Sequence, residues 1–98
     1  MYSCIFEQRA VSEYKKALLW YLERSISAAE DFEIILMDKL KTICKNPEMY
    51  TSLSKKFRET SLKTYPYSII YFVEEEIKTV VVISVFHHKR NPGLKYKR

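Results

Sequence analysis

Two amphipathic stripes with almost nothing between them constrain this chain most. Apolar residues fall at Ala10, Val11, Tyr14, Ala17, Leu18, Tyr21 and Leu22, the spacing of one face of an α-helix. A second stripe follows at Ala29, Phe32, Ile35, Leu36, Leu40 and Ile43. Ser27-Ala-Ala-Glu30 has the pattern of a capping box and is expected to open that second helix. Lys45 sits in its last turn and Asn46-Pro47 stops it. The link is only a few residues around position 25. Two long helices so closely joined must fold back as an antiparallel hairpin, and its apolar faces need a sheet to cover.

The rest of the chain supplies that sheet. Residues 2–6 read as a short first strand. After Pro47 the period changes. Residues 55–62 fit a weak strand, Tyr65-Pro66 breaks the chain, and residues 67–73 are rich in β-branched and aromatic types. Glu74-Glu75-Glu76 is a charged turn before a last strand at 77–87. There Val80, Val82 and Phe86 are expected on one face, with Val81, Ile83 and Val85 on the other. A strand apolar on both faces belongs in the middle of a sheet. The expected fold is therefore α+β, in the order β-α-α-β-β-β, with the hairpin on one face of a small, mostly antiparallel sheet.

Composition narrows the alternatives. The chain has 98 residues, 47% hydrophobic and 30% charged, which suits one globular domain over residues 1–98 rather than a disordered chain. A single glycine argues against small barrels with many tight turns. No basic region followed by an apolar run opens the sequence, and the apolar stretch 80–86 is far too short to span a bilayer. The expected location is cytoplasmic, without a membrane partner. Cys4 and Cys44 form no metal-ligand or redox motif and read as core thiols.

The charge is unevenly placed. Twelve Lys/Arg and twelve Asp/Glu cancel over residues 1–86, so the net +5 comes from Lys89, Arg90, Lys95, Lys97 and Arg98. A basic tail (residues 88–98) points to a polyanion or an acidic partner, or to a solubilising end. No Gly-rich phosphate loop or nucleophile motif is present. His87 and His88 are adjacent on a strand and point to opposite faces, so no metal is expected, and no cofactor either. Lys55, Lys56, Arg58 and Lys63, with the cations after residue 86, form a candidate surface for nucleic acid or another target. Arg58, His87 and Arg90 would suffice chemically for metal-free RNA cleavage: imidazole moves the proton and guanidinium holds the phosphate charge. Basic residues on strand edges also serve as protection against edge-to-edge pairing. On the first helix, Leu19 and Trp20 each lie about 60° outside the apolar stripe, on opposite sides. Either is a candidate partner contact, or a second buried flank of a wedged helix.

The pieces together resemble the RelE/ParE superfamily of toxins from bacterial type II toxin–antitoxin modules, over nearly the whole chain. Ala10 and the helix reaching Trp20-Tyr21 look like the first helix of that family. Asn46-Pro47 and Tyr50 look like its post-helix turn, and Arg58 with Tyr65-Pro66-Tyr67-Ser68-Ile69-Ile70-Tyr71 like its next strands. Val85-Phe86-His87-His88-Lys89-Arg90-Asn91-Pro92 looks like its closing motif. The resemblance implies a growth-inhibiting toxin, of the kind associated with plasmid stabilization, masked by a cognate antitoxin, for which Leu19 and Trp20 are the candidate contacts. It implies one of two targets. ParE-like members inhibit DNA gyrase, and "YPYSIIY" and "HHKRNP" look closer to them. RelE-like members cut ribosome-bound mRNA, and Arg58, His87 and Arg90 match positions where cleaving relatives carry functional groups, without the fuller Lys, Arg and terminal Tyr set. A small nucleic-acid-binding module without toxicity is the reading from another class.

Overall fold

The computed structural model describes residues 1–95, apart from the side chain of Leu53. Candidate residues Lys97 and Arg98 lie outside the described residues. Strand β1 (Ser3–Phe6) leads into helices α1 (Gln8–Leu22) and α2 (Ile26–Lys45). Four strands follow: β2 (Ser52–Ser54), β3 (Phe57–Ser61), β4 (Tyr67–Glu74) and β5 (Thr79–His87). They form one sheet in the order β1-β5-β4-β3-β2. Only the β1–β5 pair is parallel. The α+β fold and the helical hairpin agree with the expectation, with β2 as an additional short strand.

The hairpin closes more tightly than a loop would allow. The Ser25 amide donates to the Tyr21 carbonyl at 2.7 Å and so ends α1. The same residue's hydroxyl accepts from the Ala28 amide at 3.1 Å and opens α2. The cap is therefore Ser25 and not Ser27, which lies inside the helix. One residue serves both helix ends because its extended backbone (φ −164°) turns the chain while its side chain faces forward.

Two further expectations are corrected. Residues 55–62 are not one strand. Ser54 pairs with Phe57 across a tight turn, and Lys55 takes a left-handed backbone (φ 48°). Lys55 and Lys56 thus sit at the tip of the β2–β3 hairpin. In β5 the alternation breaks. Tyr71 pairs with Val82 while Ile70 pairs with Ser84, leaving Ile83 as a bulge. The bulge shifts the phase by one residue. Phe86 joins Val81 and Ile83 on the sheet face away from the helices, and Val85 turns to the helix face beside Ala17.

The helix face holds the main core. Phe32, Leu36, Leu40 and Ile43 of α2, with Ala10 and Ala17 of α1, pack on Ile69, Tyr71, Val80 and Val82. The Tyr71 hydroxyl donates to the Pro47 carbonyl, and the short turn Pro47–Met49 is thereby anchored under α2. The opposite face is smaller: Phe57, Ile70, Phe72, Val81, Ile83 and Phe86, with Leu94 from the C-terminal segment against them. Long cations cover the remainder. Lys56 Nζ lies 4.0 Å from the Phe72 ring, and Arg90 and Lys95 reach over Phe86.

Candidate functional site

β1 pairs with β5 only from Thr79 to Val82. Beyond that point β5 runs on with no strand on its outer side among the described residues, and α1 lies over the gap. Between them opens a cleft of about 490 Å³, lined by Glu13, Lys16 and Trp20 of α1 and by Tyr67, His87 and Arg90 of the sheet end, among others. Arg9, Glu13, Lys16 and Trp20 recur at i, i+4, i+7 and i+11, which places them along one flank of the helix.

Glu13 organises this end of the molecule. Its Oε1 accepts the Ser84 hydroxyl at 2.7 Å and the Val85 amide at 3.0 Å. Its Oε2 accepts Arg9 Nε at 3.1 Å and also Arg90 Nη1. The carboxylate, only 12% exposed, thus does for β5 what a neighbouring strand's carbonyl would do, and it clamps Arg90 as well. In the sequence Glu13 lies off the apolar stripe of α1 and is not among the candidate residues. The signal available was its position on the same helical flank as Trp20.

His87 stands on the helix face with its ring edge against Tyr67, centroids 4.9 Å apart. Its Nδ1 accepts the Lys89 amide at 3.0 Å, so in the neutral ring the proton lies on Nε2. Burial, then the nearby Lys89 and His88, hold its pKa below the usual histidine value. His88 is exposed and its Nε2 lies 2.9 Å from the Ser68 hydroxyl. Trp20 is half exposed, edge-on to Tyr21 and covered on one face by the Arg24 guanidinium at 3.7 Å. Leu19 is 59% exposed and, 100° around the helix from Trp20, faces away from the cleft.

The proposed cleavage set is divided. Arg58 pairs with Tyr71 and His87 with Tyr67, so both share the helix face but sit on opposite sides of β4. Four residues along a strand and one strand spacing to either side separate their backbones by about 16 Å. Arg58 donates to the Tyr50 carbonyl at 2.6 Å and to the Glu48 carbonyl at 3.4 Å. The other cations are dispersed too. Lys55 and Lys56 mark one end of the sheet, while Lys63, before β4, and Lys89, after β5, mark the other. Lys95 is ion-paired with Glu59 at 3.0 Å. The described part of the basic tail is therefore folded back on the sheet and partly neutralised. Among the described residues, no group of three His, Cys, Asp or Glu converges as a metal site, and no helix is long and apolar enough to cross a membrane.

Known proteins share this architecture. The chromosomal ParDE toxin–antitoxin system of P. aeruginosa contains a chain that superposes with a TM-score of 0.74 at 14% identity, over 89% of this chain and 96% of that one. The toxin-antitoxin complex RelBE of E. coli gives 0.67 at 25% identity, over 92% and 100%. Isolated E. coli RelE gives 0.66 at 23% identity, over 95% and 90%. No curated protein matches the chain significantly. The sequence profile of the ParE toxin of the type II toxin-antitoxin system parDE matches residues 4–92. With that profile spanning nearly the whole chain and the same fold in both ParDE and RelE toxins, this protein belongs to the ParE toxin family and is the toxin of a type II toxin–antitoxin system.

Proposed function

We propose that this toxin arrests growth by binding DNA gyrase in the ParE manner, and that a cognate antitoxin neutralises it. The observation that carries the reading is the separation of Arg58 from His87 by about 16 Å across β4. General acid–base chemistry needs its groups within hydrogen-bond reach of one substrate. The guanidinium of Arg58 is engaged with carbonyls and that of Arg90 with Glu13, so both act as braces for the fold. The antitoxin follows from the company the fold keeps, since RelBE and ParDE are toxin–antitoxin pairs. The target surface on this reading is cationic and includes Lys55, Lys56, Lys63 and Lys89, with Lys97 and Arg98 beyond the described residues.

Two assays on the purified protein test it: gyrase supercoiling, and cleavage of ribosome-bound mRNA. Lost supercoiling with intact mRNA is expected. Ribosome-dependent cleavage that His87→Ala and Arg58→Ala abolish overturns the reading. One observation favours that second outcome. His87, with its Nε2 proton, shares a cleft with Lys16, Lys89, Arg90 and the Trp20 ring, a combination that suits a stacked base and its phosphate. Expression without an antitoxin separates both readings from a harmless nucleic-acid-binding module, which would leave growth unchanged.

A further inference from the structure

We propose that Cys4 and Cys44 form an oxidation site, at which a hydroperoxide converts the two thiols into a reversible disulfide that fastens β1 to the last turn of α2 and prolongs the life of the folded toxin. The proposal concerns the endurance of this chain and does not depend on its target.

The two thiols lie far apart in sequence, and the fold brings them together. β1 passes beside the end of α2, where the Tyr2 amide donates to the Cys44 carbonyl at 2.9 Å. Tyr2 and Cys4 are two apart along an extended chain and so project to the same face. That face lies under the helices, and both side chains pack against the core cluster to which Cys44 belongs. There the Cys4 thiol is hydrogen-bonded to that of Cys44. Both are free thiols. Sulfurs in such contact need to close by only roughly 2 Å to reach bonding distance, which is within the range of side-chain rotation.

Exposure assigns the order of events. Cys4 is half-buried on the edge strand, whereas Cys44 is only 6% exposed, so the oxidant meets Cys4 first. The Cys4 sulfur takes the terminal oxygen of the hydroperoxide as the O–O bond breaks. This gives a sulfenic acid at Cys4 and releases the remaining fragment as water or an alcohol. The Cys44 sulfur then attacks the sulfenic sulfur. The S–S bond forms, the S–O bond breaks, and the hydroxyl leaves as water with the proton of the Cys44 thiol. One hydroperoxide is reduced and two thiols are oxidised. Burial, followed by the neighbouring Cys44, pushes the Cys4 thiol up to about 12. Little thiolate is then present near neutral pH and the first step is slow, so the site records sustained rather than momentary oxidant.

The bond secures a weakly held strand. β1 has four residues and, among the described residues, pairs with one strand only, in the parallel sense. Such an edge opens locally at low cost in free energy. The disulfide closes a loop of roughly 40 residues that contains both helices, which restricts the unfolded chain.

The test uses the full-length protein, treated with hydrogen peroxide and then with an alkylating agent. The expected product is a single chain lighter by two hydrogens, without an alkylated thiol, and returned to the starting mass by dithiothreitol. Its melting temperature should exceed that of the reduced protein by about 10 °C or more. Digestion by a protease should slow by about tenfold or more. The Ser3 and Glu7 amides, which donate to the Lys78 and Val82 carbonyls, should exchange more slowly in the oxidised form. Cys4→Ser, at the less buried of the two positions, should melt close to the reduced protein and gain nothing from peroxide. Mass and melting are read on the unsubstituted chain, so the test stands whether or not a variant folds. Two thiols still alkylated after prolonged oxidation overturn the proposal, as does oxidation that stops at sulfinic acid or links two chains together. A disulfide that forms but leaves the melting temperature unchanged or lower overturns it equally.

Discussion

The two halves of β5 form one continuous strand and solve different problems. From Thr79 to Val82 the strand is flanked by β1 on one side and β4 on the other. Its backbone is paired and both faces are packed in apolar residues. From Ile83 to His87 no strand among the described residues pairs on the β1 side, and the work passes to side chains. Glu13 replaces the missing strand, a bulge re-aims the residues, and histidine and cations appear. Regular pairing makes the first half stable and chemically silent. The second half is chemically rich because its pairing is incomplete, since only there can polar groups reach the sheet without being buried unpaired.

Breaking the first half should cost most. Val82→Asp puts a carboxylate into the fully buried apolar cluster under the helices and should destabilise the fold by about 4–5 kcal/mol. Urea unfolding would read this as a large fall in midpoint or an unfolded product. A loss below about 1 kcal/mol would mean that this half is far less tightly packed than described.

Glu13→Ala tests the second half. It strands the Val85 amide and leaves Arg9 and Arg90 without their shared carboxylate. A loss of about 2–3 kcal/mol is expected, with accelerated exchange of the Val85 amide and little change at Val80. Uniform acceleration over the whole strand would show that the halves are one cooperative unit.

A smaller effect should follow pH. The folded pKa of His87 lies below its unfolded value. Near neutral pH the ring is uncharged in both states and contributes no difference. As pH falls through about 6.5, the unfolded chain takes up the proton first, and stability declines. His87→Gln should flatten that part of the stability profile, and an unchanged slope would assign it to other groups. Smallest of all, Lys89→Ala should change stability by no more than about 0.5 kcal/mol, because the side chain is exposed and makes no ion pair among the described residues. A larger loss would show that Lys89 braces the turn after β5.

What sequence could reveal follows the same division. The helical stripes, the Pro47 stop and the place of β5 inside the sheet were legible because burial imposes periodicity on apolar residues, and periodicity is visible in one dimension. The resemblance in the closing motif, from Val85 to Pro92, also pointed to the family. The cleft was not legible. It depends on β1 ending four residues into its pairing, on an acidic residue that looks like surface, and on a bulge with no glycine or proline to announce it. Ser25 was missed for a related reason, since Ser27 fits the cap pattern better and only geometry separates them. Arg58 and His87 were both placed on strands, but only the order β5-β4-β3 shows how far apart they lie.

The bulge at Ile83 makes the identity of the cleft a matter of counting. Were all of these residues in strict alternation instead, everything downstream would be turned by half a period. Phe86 and His88 would then face α1, while Val85 and His87 would pass to the side now held by Leu94. The amino acids would be unchanged, and the cleft would meet Phe86 and His88 in place of Val85 and His87. The bulge thus decides which side chains the end of the sheet presents to α1, and its presence between Val82 and Ser84 should matter more to this toxin than which apolar residues fill the strand.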